Sequence, residues 1–212
     1  MTSTDPYRTV ARFYDLLIEP ANVKLKDIGV TMAPPEPGLT LLDVGCGTGT
    51  MLERYAAGGC EVTGLDASAA MLAQARRRLG PGAHLHLGDA ARMPFADAAF
   101  DLVVMTMVLH EMPPQLRSAV LAEAIRVLDP QGRLLLIDYA AGPWRFPKGW
   151  LLKAFVTTVE ALAGAEHFRG YRHFLRHGGL PALARRHELQ VAHRRVIGGG
   201  NLELCVLRPA PA

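Results

Sequence analysis

Three glycines alternate directly behind an apolar run in LLDVGCGTGT, at Gly45, Gly47 and Gly49. A turn of this kind lets a backbone approach a ligand with no Cβ in the way. The dinucleotide fingerprint GxGxxG would need glycine at position 50, where Thr50 stands, and there is no GxxxxGKS/T phosphate loop. Alone, the pattern also suits a plain tight turn between a strand and a helix. Two acids extend its chemistry. Asp66 ends the next apolar run, EVTGLD, 17 positions after Gly49. A carboxylate there can accept both hydroxyls of an adenosine ribose, or it can cap the following helix. Asp89 follows the third run in GDAARMPFAD, beside the same crevice, and suits an adenine amino group. His110 and Glu111 follow the fourth run on its rim, in LHEMP. His110 can act as a general base, because an imidazole titrates near ~6.5. A strand-end histidine bonded to a backbone carbonyl is the alternative.

These residues need a frame to bring them together. Apolar runs at 39–44, 61–65, 100–106 and 133–139 read as buried parallel strands, with a weaker one at 83–87. Helical stretches at 50–57, 68–79 and 115–128 alternate with them. Ser68 is a plausible N-cap and Gly80-Pro81 a stop. The rhythm indicates an α/β, doubly wound open sheet, in which ligands bind at the carboxyl ends of the strands. It fails after Tyr139: AGPWRFPKGW leads into a long helical region. A last helix at 179–187 precedes two runs, 189–197 and 202–207, joined by GGGN. So short a link makes a hairpin, and one of these strands must run against the rest. At the other end, Val10, Phe13, Tyr14, Leu17 and Ile18 recur at helical spacing before the breaker APPEPG at 33–38.

The chain has 212 residues, half of them hydrophobic, which suits one self-sufficient domain. Cys46, Cys60 and Cys205 are scattered and odd in number, which speaks against a disulfide framework or structural zinc and for a cytoplasmic setting. The first ten residues do not resemble a secretory signal, and no run reaches the ~20 apolar residues of a membrane span. The net charge of +3 is uneven. Residues 1–140 hold 12 Lys/Arg against 16 Asp/Glu, and residues 141–212 hold 11 against 4. A basic end of this kind faces a membrane, a nucleic acid or an anionic substrate, or is simply solvated.

The blocks LLDVGCGTG, VTGLDASAAML, GDAARMPFADAAFDLVVMTMVLHEM and VLDPQGRLLLIDYA, in this order and spacing, resemble the class I S-adenosylmethionine-dependent methyltransferases. FYD and LHEMP look most like the ubiquinone/menaquinone-biosynthesis and phospholipid branch. The resemblance implies a Rossmann-like, seven-stranded, mostly parallel sheet with a reversed last strand, and S-adenosylmethionine as cofactor. It implies that Asp43, Gly45, Gly47, Thr48 and Gly49 form the cofactor loop. Asp66 takes the ribose, Ala67 and Met71 lie near the adenine, Asp89 and Ala90 mark the adenine edge, and Thr106 faces the methionine portion.

The expected function is methyl transfer to a small or lipid-like acceptor, with residues 1–38 and the insertion at 141–177 covering a methyltransferase domain at 39–212. His110 and Tyr14 are the candidate catalytic residues, and Tyr139 ends the fifth strand at the same rim. A protein or nucleic-acid methyltransferase is the rival within the fold, although no nucleic-acid module is visible. A non-catalytic cofactor-binding regulator is the rival outside it. HFRGYRHFLRHGG carries His167, His173 and His177 with Arg169, Arg172 and Arg176. No acid pairs with these histidines at a recurring spacing, so no metal is expected there. An anion site or a solvated helix face remains. Trp144 and Trp150 beside basic residues suit a peripheral membrane contact, and a cap packed on the sheet or a homodimer contact is the rival.

Overall fold

The computed structural model describes residues 19–162 and 164–210. Tyr14 and the amphipathic stretch around it lie outside the described residues. The chain begins with helix α1 (Glu19–Met32), followed by β1 (Thr40–Val44), α2 (Thr50–Ala57), β2 (Glu61–Asp66), α3 (Ala69–Leu79) and β3 (His84–Leu87). Then come β4 (Phe100–Thr106), α4 (Pro114–Val127), β5 (Leu128–Tyr139), α5 (Lys148–Leu162), α6 (Ala165–Arg176), α7 (Gly179–Arg186), β6 (Leu189–Ile197) and β7 (Leu202–Pro209).

The strands form one seven-stranded sheet in the order β3-β2-β1-β4-β5-β7-β6. β1 through β5 pair in parallel, and β7 runs antiparallel to both neighbours. This is the expected doubly wound, seven-stranded sheet with its last strand reversed. The strand order turns back between β1 and β4, so their carboxyl ends flank a natural crevice.

Alternation along the central strands explains their apolar runs. Leu42, Val103 and Leu134 face one helical layer, and Leu41, Leu102 and Leu135 face the other. With helices on both faces, each register position is buried, and each such side chain contributes about 1.5–3 kcal/mol. Ser68 caps α3 as its sequence position suggested, its hydroxyl accepting from the Met71 amide at 3.1 Å.

Residues 19–32, grouped in the sequence reading with the N-terminal helix and substrate cover, form a helix packed on the core. Leu25 is buried, and the Tyr55 hydroxyl donates to the Ala33 carbonyl at 2.7 Å. The helical region after Tyr139 divides into α5 and α6. Gly164, with φ +122°, breaks it because only glycine takes that backbone readily.

Candidate active site

At the carboxyl ends of β1, β2 and β4 lies a cleft of about 340 Å³. The turn after β1 folds against β2, with the Gly45 and Cys46 amides both donating to the Leu65 carbonyl at 2.7 and 3.1 Å. Gly47 has φ +54°, and a Cβ built on it would meet nothing within 4 Å. The backbone here borders open space. Gly45 and Gly49 serve other ends. A Cβ on Gly45 would sit 2.6 Å from Val108, and one on Gly49 would sit 3.1 Å from Ala75 and Leu79. Gly49 therefore lets α2 start close against α3, and it does not wall the cleft.

Asp66 stands at the end of β2 and braces both sides. One carboxylate oxygen accepts from the Gly47 amide at 2.8 Å, and the other accepts from the Ser68 amide at 2.8 Å. Gly45, Gly47, Ala67, Met71, Ala90 and Thr106 share the cleft wall with it. Asp43 and Thr48 line an adjoining recess of about 40 Å³, next to Lys26, whose ammonium donates to the Thr50 hydroxyl. Asp89 is exposed and accepts from the Ala91 amide at 2.8 Å, a turn bond, and it is Gly88 and Ala90 that face the cleft. Cys46 is an inert thiol: burial first, then Asp43 and Asp66, push its pKa well up.

His110 is turned away from the cleft. It is only 3 % exposed, and its Nδ1 lies 2.8 Å from Asp138 Oδ1. Its ring packs against Tyr139, His167 and Tyr171, with centroids 4.7, 5.6 and 6.3 Å away. The expectation that it faces the reacting groups needs correcting. Asp138, on β5, receives the Leu109 and His110 amides and draws the loop inward. Glu111, one residue on, borders the cleft instead. Burial alone would lower the His110 pKa, but the carboxylates of Asp138, Glu111 and Glu160 outweigh it and raise the value to about 9. Burial likewise opposes charge on Glu160, yet the bond from His167 and the nearby His110 leave its pKa lowered.

Several site residues escaped the sequence reading. Met107 and Met112 line the cleft, and Met107 has φ +56°, a costly backbone for a side chain of its size. Arg117 is buried with its guanidinium on the carbonyls of Leu109 (2.6 Å), Met112 (2.7 Å) and Gly170 (3.2 Å). It pins the loop after β4 to α6. An arginine inside an amphipathic helix carries no sequence signal for such a role.

Known proteins resemble this chain in sequence and fold. Residues 41–132 match a family model described as a methyltransferase domain. The demethylmenaquinone methyltransferase of Beutenbergia cavernae is 36 % identical over 126 residues, covering 58 % of this chain and 51 % of that protein. The malonyl-[acyl-carrier protein] O-methyltransferase of Serratia marcescens is 37 % identical over 123 residues, covering 55 % of this chain and 46 % of that protein. The chain thus spans about half the length of the curated relatives it matches. Among solved structures, a Pyrococcus horikoshii protein superposes with a TM-score of 0.72 at 18 % identity, covering 98 % of this chain and all of that one. The 1,6-didemethyltoxoflavin-N1-methyltransferase of Burkholderia thailandensis, solved with S-adenosylhomocysteine, gives 0.63 at 14 % identity, covering 100 % and 92 %.

Residues 41–132 thus carry the mark of a methyltransferase domain, and the chain resembles the class I S-adenosylmethionine-dependent methyltransferases. S-adenosylmethionine is its cofactor, and the residues present fit that group. The backbone at Gly47 opens onto the cleft with no side chain in the way. Thr106 Oγ1 is buried at the wall and has no hydrogen-bond partner among the described residues, as a ligand-facing hydroxyl would.

Proposed function

We propose that this methyltransferase acts on a small or lipid-like acceptor held between the cleft and the 141–177 cap. The observation that carries the reading is the pairing of Asp66 with the Gly47 turn at the mouth of a cleft walled by Met71, Met107 and Met112. The cofactor supplies a methyl group already activated on a sulfonium, so the protein need not build a nucleophile. Its residues have to bind, align and exclude water. Asp66 takes the ribose hydroxyls, Thr106 and Gly47 border the methionine portion, and the methionine side chains keep the wall apolar. Glu111, on the rim, is the group placed to take a proton from an acceptor O–H or N–H.

The names of the relatives point to a quinol or an acyl thioester as acceptor class. The cap favours the lipid-like end of that range. On α5, Leu151, Phe155 and Leu162 are 69, 66 and 82 % exposed, and Phe146 and Trp150 project beside them. The only acid in 141–162, Glu160, is buried, whereas Arg145 and Lys148 are exposed at the start of this face. An apolar face with a basic edge and no exposed acid matches an anionic lipid surface. No helix among the described residues is long and apolar enough to cross a membrane, so we place the contact at the surface of the bilayer. Three buried free thiols suit the reducing cytoplasm.

The test is incubation of the purified chain with S-adenosylmethionine and a panel of demethylated quinols, acyl thioesters, a peptide and an RNA, with products read by mass spectrometry. A methylated quinol or thioester is the expected product. Failure to bind S-adenosylhomocysteine in a titration, or methylation of the peptide or RNA alone, would overturn the reading.

A further inference from the structure

Two histidines from different elements turn the same ring nitrogen toward one carboxylate. Nε2 of His167, in the first turn of α6, lies 2.6 Å from Glu160 Oε2, in the last turn of α5. Nε2 of His110, after β4, lies 3.6 Å from that same oxygen. One donor atom from each of the three residues falls within 4.8 Å of the other two.

The outward nitrogens decide what this convergence requires. Nδ1 of His110 faces Asp138 at 2.8 Å, and Nδ1 of His167 faces Glu111 at 3.8 Å. Asp138 also collects the Leu109, His110 and Tyr139 amides, so it is held as an acceptor and His110 Nδ1 carries the proton. Deprotonated at Nε2, each imidazole would present a lone pair to the space beside Glu160 Oε2. A divalent ion is the species that could take all three donor atoms at once, in place of the protons that bond the rings to the carboxylate.

The surrounding contacts are of the kind that support metal ligands. Metal-bound histidines hold their second nitrogen on a carboxylate, and bound carboxylates are themselves hydrogen-bonded. Both features occur here: His110 Nδ1 bonds Asp138 at 2.8 Å, and the Tyr139 hydroxyl donates to Glu160 Oε1 at 2.8 Å. Two histidines and one glutamate are a zinc ligand set that leaves a position for water or a substrate oxygen. We propose that His110, His167 and Glu160 bind one divalent ion of the zinc class, tying the α5–α6 cap to the loop that carries Glu111. The linear spacing of the histidines speaks against a metal because two of the three ligands come from outside the run HFRGYRHFLRHGG.

The proposal goes beyond methyl transfer and is tested without it. His173 and His177 stack at 3.8 Å near the surface and can hold zinc adventitiously, so both are first changed to alanine. The full chain, stripped with EDTA, is titrated with zinc chloride by calorimetry and with cobalt chloride by visible absorption. One ion per chain is expected, with a visible cobalt band from four-coordinate nitrogen and oxygen ligands and a raised Tm. Glu160→Gln and His167→Ala should each weaken binding on the order of 100-fold, and Asp138→Asn roughly 10–100-fold, as loss of an outer partner does. Retained S-adenosylhomocysteine binding shows that a variant is folded. Absence of a cobalt band in the His173→Ala/His177→Ala chain overturns the site, whatever the fate of the other variants. Unchanged zinc affinity in Glu160→Gln overturns it too.

Discussion

Asp66 accepts the Gly47 amide at 2.8 Å, so the acid at the end of β2 holds the turn at the end of β1. It also accepts the Ser68 amide at the start of α3. The residue expected to take the ribose thus shapes the cleft as well. Asp66→Ala should weaken S-adenosylhomocysteine binding about 100-fold, since each hydrogen bond to a charged group is worth roughly 1.5–3 kcal/mol. Asp66→Asn keeps an acceptor for the Gly47 amide, so it should lose about tenfold with little change in Tm. Titration calorimetry beside thermal unfolding separates the two, and equal affinity in all three proteins would remove Asp66 from the ribose site.

Gly47→Val puts a branched side chain where a Cβ now meets nothing, and forces it to adopt φ +54°. We expect loss of cofactor binding with destabilisation of about 1–3 kcal/mol from the strained backbone. A folded variant that binds normally would show that the glycine serves only the turn.

Asp138 receives four donors: the Leu109, His110 and Tyr139 amides and His110 Nδ1. Asp138→Asn sets an NH2 group against some of them without changing shape. The expected cost is about 3 kcal/mol, seen as a Tm drop of roughly 6–12 °C in a chain of this size. A Tm within 2 °C of the parent, on the order of the shift from 1 kcal/mol or less, would mean that the loop after β4 does not depend on this carboxylate.

Arg117→Met keeps a long apolar stem but strands the carbonyls of Leu109, Met112 and Gly170. Stability should fall by about 3 kcal/mol, because charged hydrogen bonds are lost and buried acceptors go unpaired. Limited proteolysis should also cut sooner within 141–177, where α6 is no longer pinned. Cleavage spread evenly along the chain would contradict that local role.

Leu151→Glu with Phe155→Glu places two acids on the exposed face of α5. Stability should change by no more than about 0.5 kcal/mol per substitution, as at most surface sites. Sedimentation with anionic vesicles should fall severalfold, and the parent's binding should weaken with salt, since attraction to lipid charge fades over ~8–10 Å. Binding that survives both acids would sink the lipid contact. A parent that dimerises through this face instead would show it by ultracentrifugation.

The sheet, its reversed last strand and the meeting of the glycine turn with Asp66 were legible in the chain because each depends on local order. Apolar runs of strand length predict strands buried on both faces, and GGGN between the last two predicts a hairpin. Glycines behind a strand and an acid ending the next one meet in any doubly wound sheet, since both ends lie on one edge. That helix α1 packs on the core was not legible, because an extra helix on a finished α/β core has no pattern to set it apart. The finer distribution of roles also needed three dimensions. Gly47 and Gly49 look alike in LLDVGCGTGT, and only the approach of Ala75 and Leu79 shows that the second serves helix packing. His110 and Glu111 are neighbours on one rim in sequence, but Asp138, 28 positions away, draws the histidine inward and leaves the glutamate on the cleft. Glu160 reaches His167 and His110 only because the chain breaks at Gly164 and α6 turns back on α5, a contact between distant residues that no local spacing encodes.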